Sequence, residues 1–342
     1  MTQRRIWKVL LGVGAVVVLT VVAVAGYFLN TYEAPPVDPS WAVEGSTEIP
    51  EGAVTVRYTG TATLVFSDGE TTWMTDGWFS RPGPLALLYA QIEPDLDAIG
   101  KGLERNQVGE LAAVFPVHSH FDHAMDAPEV AKRTGAVLLG SESTANIGRG
   151  WGLPEKQIRA VTDREPIQLG KFTVTPIESK HFQFPDPEMA ARALGDPEID
   201  EPLTPPVSAF DYKLGKAYAL HVAHPKGTWL IQGSAGFIEG SLEGYDADVV
   251  FLGVGALGSQ TDAYREGYWK ETVERTNPSR VIPIHWDSLT GPVVGPFTGP
   301  VRAAALFTKG SNNTLAFLKD KNAANPNIEF VTLPRYDPVV LF

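Results

Sequence analysis

Three histidines and an aspartate fall within six residues: His118-Ser119-His120-Phe121-Asp122-His123. Neutral imidazole and carboxylate suit zinc, iron or manganese, so these four groups read as ligands of a divalent metal. The chain has no cysteine. Disulfides and thiolate ligands are excluded, and any metal must be held by His, Asp or Glu. A solvated cluster of surface histidines is the competing reading of the same spacing. The chemistry expected of a metal here is assisted hydrolysis, because a bound dication brings the pKa of water down toward about 7.

Such ligands need firm elements to aim them. Residues 111–117 form a short apolar run suited to a buried strand, ending at His118. Residues 126–134 then read as a helix, with Asp126 as its cap, Glu129 completing a capping box and Gly135 as its stop. Upstream, residues 54–58 alternate, and residues 63–66 turn at Asp68-Gly69 into residues 71–75, a hairpin signal. A strand over 172–177 ends near His181. Residues 218–223 and 228–232 make a hairpin around Pro225-Lys226-Gly227, which leaves His221 and His224 as strand or turn residues rather than ligands. Residues 248–254 read as a buried strand, 263–276 as a helix, and 280–284 as a strand ending at His285. A helix around 301–308 and a strand over 328–333 close the chain. The mixed order predicts an α+β domain of two sheets sandwiched between helices.

The amino terminus reads differently. Arg4, Arg5 and Lys8 precede an uncharged apolar run over residues 9–29, close to the roughly 20 helical residues that cross a bilayer core. Basic residues before the run and Glu33 after it direct the catalytic part outside the cytoplasmic membrane, as a single-pass protein. The alternative is a signal peptide cleaved at Ala23-Val24-Ala25, which would release a secreted or periplasmic enzyme. Continuation of the run through Tyr27, Phe28 and Leu29 favours the anchor. Residues 30–52, with Pro35, Pro36, Pro39 and Pro50, read as a linker, and 53–342 as the catalytic domain. Directly after His181, residues 182–210 carry Pro185, Pro187, Pro197, Pro202, Pro205 and Pro206. They read as a long irregular loop, either a lid over the site or a solvated insertion. The formal net charge of −12 argues against nucleic acid as a partner and leaves a small-molecule or lipid substrate.

The H-x-H-x-D-H run resembles the signature of the metallo-β-lactamase superfamily, and the similarity extends over residues 53–342. Thr75-Asp76-Gly77-Trp78-Phe79 resembles that family's first motif, whose aspartate supports the metal ligands. His181 resembles the histidine of the third motif, and Val281-Ile282-Pro283-Ile284-His285-Trp286 the last. The phrasing is closest to the branch holding N-acylphosphatidylethanolamine phospholipase D and ascorbate-phosphate lactonases. The resemblance implies a four-layer αββα sandwich with metals at the sheet edge. It also implies one metal on His118, His120 and His181, and a second on Asp122, His123 and His285.

One departure bears on metal number. Ser234, in Gln232-Gly233-Ser234-Ala235-Gly236, stands where the family places an aspartate bridging both metals. A neutral hydroxyl bridges poorly, so the chain holds one or two metals, and Asp287 is the candidate substitute. Zinc is the metal expected, with iron or manganese as alternatives. Asp122 would orient the attacking water and accept its proton, His285 would assist the leaving group, and Asp76 would fix a ligand's tautomer. The substrate class expected is an ester, lactone or phosphodiester, with a lipid derivative suggested by the tether and the phospholipase-like branch. Two other readings compete. One is a member of the fold that binds metal or ligand without catalysis. The other is a serine hydrolase on Ser234, although Gln232 occupies the first glycine position of a nucleophile elbow.

Overall fold

The computed structural model describes residues 3–195, 197–304 and 310–342. The first strands are β1 (Thr55–Gly60), β2 (Thr63–Ser67), β3 (Thr72–Thr75), β4 (Gln91–Ile92), β5 (Ala113–Phe115), β6 (Val137–Gly140) and β7 (Ile158–Ala160). There follow β8 (Ile167–Leu169), β9 (Phe172–Ser179), β10 (Val207–Ser208), β11 (Ala217–His224), β12 (Gly227–Gln232), β13 (Val249–Gly253), β14 (Arg280–Ile284), β15 (Glu329–Phe330) and β16 (Val339–Val340). The helices are α1 (Gln3–Asn30), α2 (Pro84–Tyr89), α3 (Leu96–Arg105), α4 (Phe121–Ala124), α5 (Ala127–Thr134), α6 (Glu142–Gly150), α7 (Pro187–Leu194), α8 (Asp262–Trp269) and α9 (Ser311–Ala324).

Among the described residues, β4 and β10 pair with each other alone, and the other fourteen strands form two seven-stranded sheets, ordered β16-β1-β2-β3-β5-β6-β7 and β15-β14-β13-β12-β11-β9-β8. Each is antiparallel at one end and parallel at the other; the change comes at β3 in the first sheet and at β12 in the second. Parallel strands covered on both faces lose the polar half of the usual alternation. Ala113–Phe115 and Val249–Gly253 are accordingly buried at every residue. The sheets meet face to face: Phe66 of β2 stacks on Trp229 of β12 and meets Phe251 of β13 edge-on, at centroid distances of 5.3 and 5.4 Å. Ile99 and Leu103 of α3 and Val130 of α5 cover the outer face of the first sheet, over Met74, Val114 and Leu138. Tyr268 and Trp269 of α8 and Leu318 of α9 join the core from the side of the second sheet. The result is the expected sandwich of sheets between helices.

The Asp68-Gly69 turn forms as its residues require. Asp68 Oδ1 accepts from the N–H groups of Glu70 and Thr71, and Gly69 takes φ +84°. Three expectations need correction. Residues 182–210 are not an irregular loop throughout: they contain α7, capped by Asp186, and β10, which pairs with β4. Residues 30–52 do not hang free. Val37 and Trp41 are buried, Trp41 lies 5.0 Å from the Phe330 ring, and Ala42 bridges to Thr332. Scattered apolar residues without periodicity still find a groove when the fold offers one. The helix expected over 263–276 is α-helical only to Trp269, then widens into a π turn over Lys270–Glu274. The helix expected over 301–308 lies mostly outside the described residues. At the amino terminus, Leu10–Asn30 is a 21-residue helical stretch of mean hydropathy 2.4, with none of its most apolar window buried.

Candidate metal centre

The site lies where strands of both sheets run out. β5 ends at Phe115, and the chain turns through His118 and His120 into the single turn of α4, which carries Asp122 and His123. β9 delivers His181 and β14 delivers His285. The side chains converge as two trios, His118/His120/His181 and Asp122/His123/His285, with the ligand atoms of each within 4.8 Å of one another. His118 Nε2 stands 3.2 Å from His120 Nδ1, and His123 Nε2 stands 3.2 Å from His285 Nε2. Asp122 Oδ2 lies 3.5 Å from His123 Nε2 and 3.3 Å from His285 Nε2.

The outer nitrogens explain why these inner atoms suit a cation. His120 Nε2 donates to the Ala193 carbonyl (3.1 Å), and His181 Nδ1 to the Phe182 carbonyl (2.8 Å). His123 Nδ1 donates to Asp76 Oδ2 at 2.6 Å. A neutral imidazole carries one proton, so each of these partners leaves the other nitrogen bare and facing its trio. Lone pairs this close repel unless a cation stands between them. Ligands about 2.0–2.1 Å from a tetrahedral ion are themselves about 3.3 Å apart, so the spacing fits.

Burial, with the neighbouring imidazoles, pushes His118 and His181 well below the usual histidine range, and burial brings His120 down to about 4. These three rings are neutral at neutral pH, as metal ligands must be. Burial would raise the Asp122 carboxyl, but His123 and His285 outweigh it and hold it far below the carboxylate range. For His123 the burial effect is again overcome: Asp76 and Asp122 raise it. Burial pushes the Asp76 carboxyl up.

Asp76 and His285 both take left-handed backbone, φ +57° and +58°, a strained choice for residues with a Cβ that marks sites held by their surroundings. Asp76 is held by Val117 N–H on Oδ1 (3.0 Å) and by its own N–H on the Phe115 carbonyl. His285 N–H donates to the Thr61 carbonyl at 2.6 Å. Thr61 is in turn fixed by Asp287, whose Oδ1 accepts Thr61 N–H at 2.6 Å.

That contact decides the role of Asp287. Its carboxylate meets Thr61, the Tyr58 hydroxyl (3.4 Å) and Arg81 Nη1 (3.3 Å), and it joins neither trio. A buried guanidinium requires a carboxylate partner, and Arg81 also donates to the Ser288 carbonyl and the Thr61 hydroxyl. Asp287 therefore braces the turn that holds His285. Ser234 sits just past β12, and its hydroxyl accepts from Phe182 N–H (3.3 Å). Among the described residues no histidine is hydrogen-bonded to it, which leaves the serine-hydrolase reading without a base.

Asp126 does not cap α5. Its backbone is already helical, so the carboxylate cannot fold back onto the first turn. It reaches across to accept from the N–H groups of Phe79 and Ser80 and from the Ser80 hydroxyl, and burial pushes it up to about 6. Glu129 completes no capping box; it bonds Arg133 and Trp151. Gly135 does end α5, at φ +75°. His221 and His224 are strand residues, bonded to the Asp246 carbonyl and Asp68. Sequence reasoning missed the Ala193 carbonyl and the Arg81–Tyr58–Thr61 brace. No local pattern announces a carbonyl from a helix 73 residues away.

Comparison with known proteins gives the same direction. No family model matches the chain. It is 25% identical over 239 residues to a UPF0173 metal-dependent hydrolase of Pyrobaculum islandicum, covering 68% of this chain and 84% of that protein. A UPF0173 metal-dependent hydrolase of Anaeromyxobacter sp. is 30% identical over 160 residues, 46% of this chain and 51% of its own length. Together with the two trios, these relatives identify the chain as a metal-dependent hydrolase. Solved structures similar to it include Igni18, a metallo hydrolase of Ignicoccus hospitalis, with 15% identity and TM-score 0.48 over 85% of this chain and 99% of that one. The metallo-β-lactamase fold protein YhfI of Bacillus subtilis has 15% identity and TM-score 0.44 over 84% and 99%.

Proposed function

We propose that this hydrolase cleaves an ester, lactone or phosphodiester of a lipid-derived substrate, using two divalent metals, zinc first among them. The observation that carries the reading is the convergence of bare ligand atoms into two separate trios. A metal there supplies Lewis acidity, drawing charge from the substrate's reacting oxygen and making water a competent nucleophile near neutral pH. Asp122, held as an anion between His123 and His285, orients the attacking water by accepting its hydrogen bond. His285 stands beside it, positioned to assist the leaving group. Asp76 holds His123 in one tautomer.

The apolar α1, long enough to span a bilayer, supports a single-pass anchor with the catalytic domain outside the cytoplasmic membrane. Elemental analysis of the full chain, purified without chelator or metal-affinity tag, tests the metal reading. Two metals per chain is the expected result. One would restrict the chemistry to a single trio, and none after zinc, iron and manganese are offered would overturn it.

A further inference from the structure

α2 has two faces. Ala86 and Leu87 pack into a cluster with Trp78, Met125 and Phe121, the last lying between ligands His120 and Asp122. On the other face Leu85, Leu88 and Tyr89 are 53, 46 and 83% exposed. No charge occurs from residue 82 to residue 92, nor from 288 to 301. The second stretch carries the exposed Val294, at 55%. It is also joined to both α1 and α2. Arg81, three residues before α2, donates to the Ser288 carbonyl, and the Tyr32 hydroxyl, just past α1, donates to the Thr290 carbonyl (3.4 Å). Glu33 N–H donates to the Pro300 carbonyl, and Tyr32 pairs with Val301. The exit of α1, the 288–301 loop and α2 are thus linked along one edge of the domain, and His285 stands at the base of that loop.

We propose that α2 and the 288–301 loop form a second membrane contact, seating the mouth of the metal centre on the bilayer that α1 spans, so that a lipid ester reaches the metals directly from the membrane. The proposal rests on the reading of α1 as a span. A tether at Asn30, with no free linker after it, holds the neighbouring surface at the headgroup layer. Uncharged, apolar surface there is stabilised by leaving water for the bilayer, whereas in solution it stands as an exposed apolar patch.

The absence of native cysteine permits a direct test. Single substitutions Leu88→Cys, Val294→Cys, Val18→Cys in α1 and Lys171→Cys are labelled with an environment-sensitive fluorophore. The full chain is then placed in phosphatidylcholine–phosphatidylglycerol vesicles. Lys171 precedes β9, the strand that delivers His181 from its far end, so it serves as the control remote from the site. Nitroxide-bearing lipids are expected to quench the labels at positions 18, 88 and 294, and aqueous iodide the label at 171. Quenching at 18 with iodide-accessible labels at 88 and 294 overturns the second contact alone. No lipid quenching at 18 overturns the span and the inference resting on it. Labels at 88 and 294 shielded from iodide yet untouched by the lipid quencher would mean that a second copy covers the face, which also overturns it. The paired Leu88→Glu/Val294→Glu variant should lose about tenfold or more of its turnover on a vesicle-borne ester and none on a soluble one. Equal loss on both would count against the proposal.

Discussion

The two ligand trios differ most in what stands behind them. His120 and His181 lean on backbone carbonyls, and among the described residues His118 Nδ1 has no partner at all. That trio is uncharged. The other contains one carboxylate, Asp122, and is backed by a second, Asp76. Attraction between a dication and a carboxylate is strong where water is excluded. From the sequence, Ser234 in place of a bridging aspartate weighs on the second trio. The geometry moves that weight to the first, whose ligands are all neutral, while the second keeps two carboxylates of its own. The first trio has the compensating advantage that its rings are already neutral and need shed no proton to bind.

The largest way to break this comparison is His120→Ala. It should bring turnover to background and empty the first trio while the second still takes up one metal, read by elemental analysis. Loss of both metals would make the trios a single cooperative unit. Next, Asp287→Ala removes one member of a buried ion pair and should cost about 3–5 kcal/mol in denaturant unfolding, with metal number unchanged. Loss of one metal at full stability would return Asp287 to the list of ligands. Asp76→Asn should weaken binding at the second trio by about 10–100-fold and leave the first untouched. Chelator competition checks this, and equal weakening at both would erase the electrostatic distinction.

The smallest effect concerns Asp126, which pins Phe79 and Ser80 just beyond Asp76. Its carboxyl stands at about 6, above the ordinary value of 3.8. The folded chain therefore keeps a proton that the unfolded chain releases. Stability from this group is full below about pH 4 and declines as pH rises through about 6, by roughly 1–3 kcal/mol. Thermal unfolding at pH 4 and pH 7 should show a slope that is flatter in Asp126→Asn; identical slopes would place the charge elsewhere.

Much of this architecture is legible in the sequence alone. The H-x-H-x-D-H run, His181 and His285 all sit at strand ends that the apolar runs had marked, and β14 matches its expected range residue for residue. Strand ends are readable because burial on both faces leaves unbroken apolar stretches. Helices α3 and α6 escaped notice, because their inward faces are short and interrupted by glycine and polar residues. α7 was hidden among prolines, one of which serves at its first turn, where a missing N–H costs nothing.

By itself the sequence determined the residue types of the two candidate trios, the Asp68-Gly69 turn, the apolar strands and the long apolar helix at the amino terminus. Each is a property of residues within one turn or one strand of each other. Only the tertiary structure decided that Ala193 fixes the tautomer of His120, that Asp287 serves Arg81 and Thr61 rather than a metal, and that residues 30–52 lie bound to the domain. Those outcomes join groups 73 to 294 residues apart. Periodicity and spacing describe neighbours along the chain, and a hydrogen-bond partner brought in from another layer leaves no trace in either.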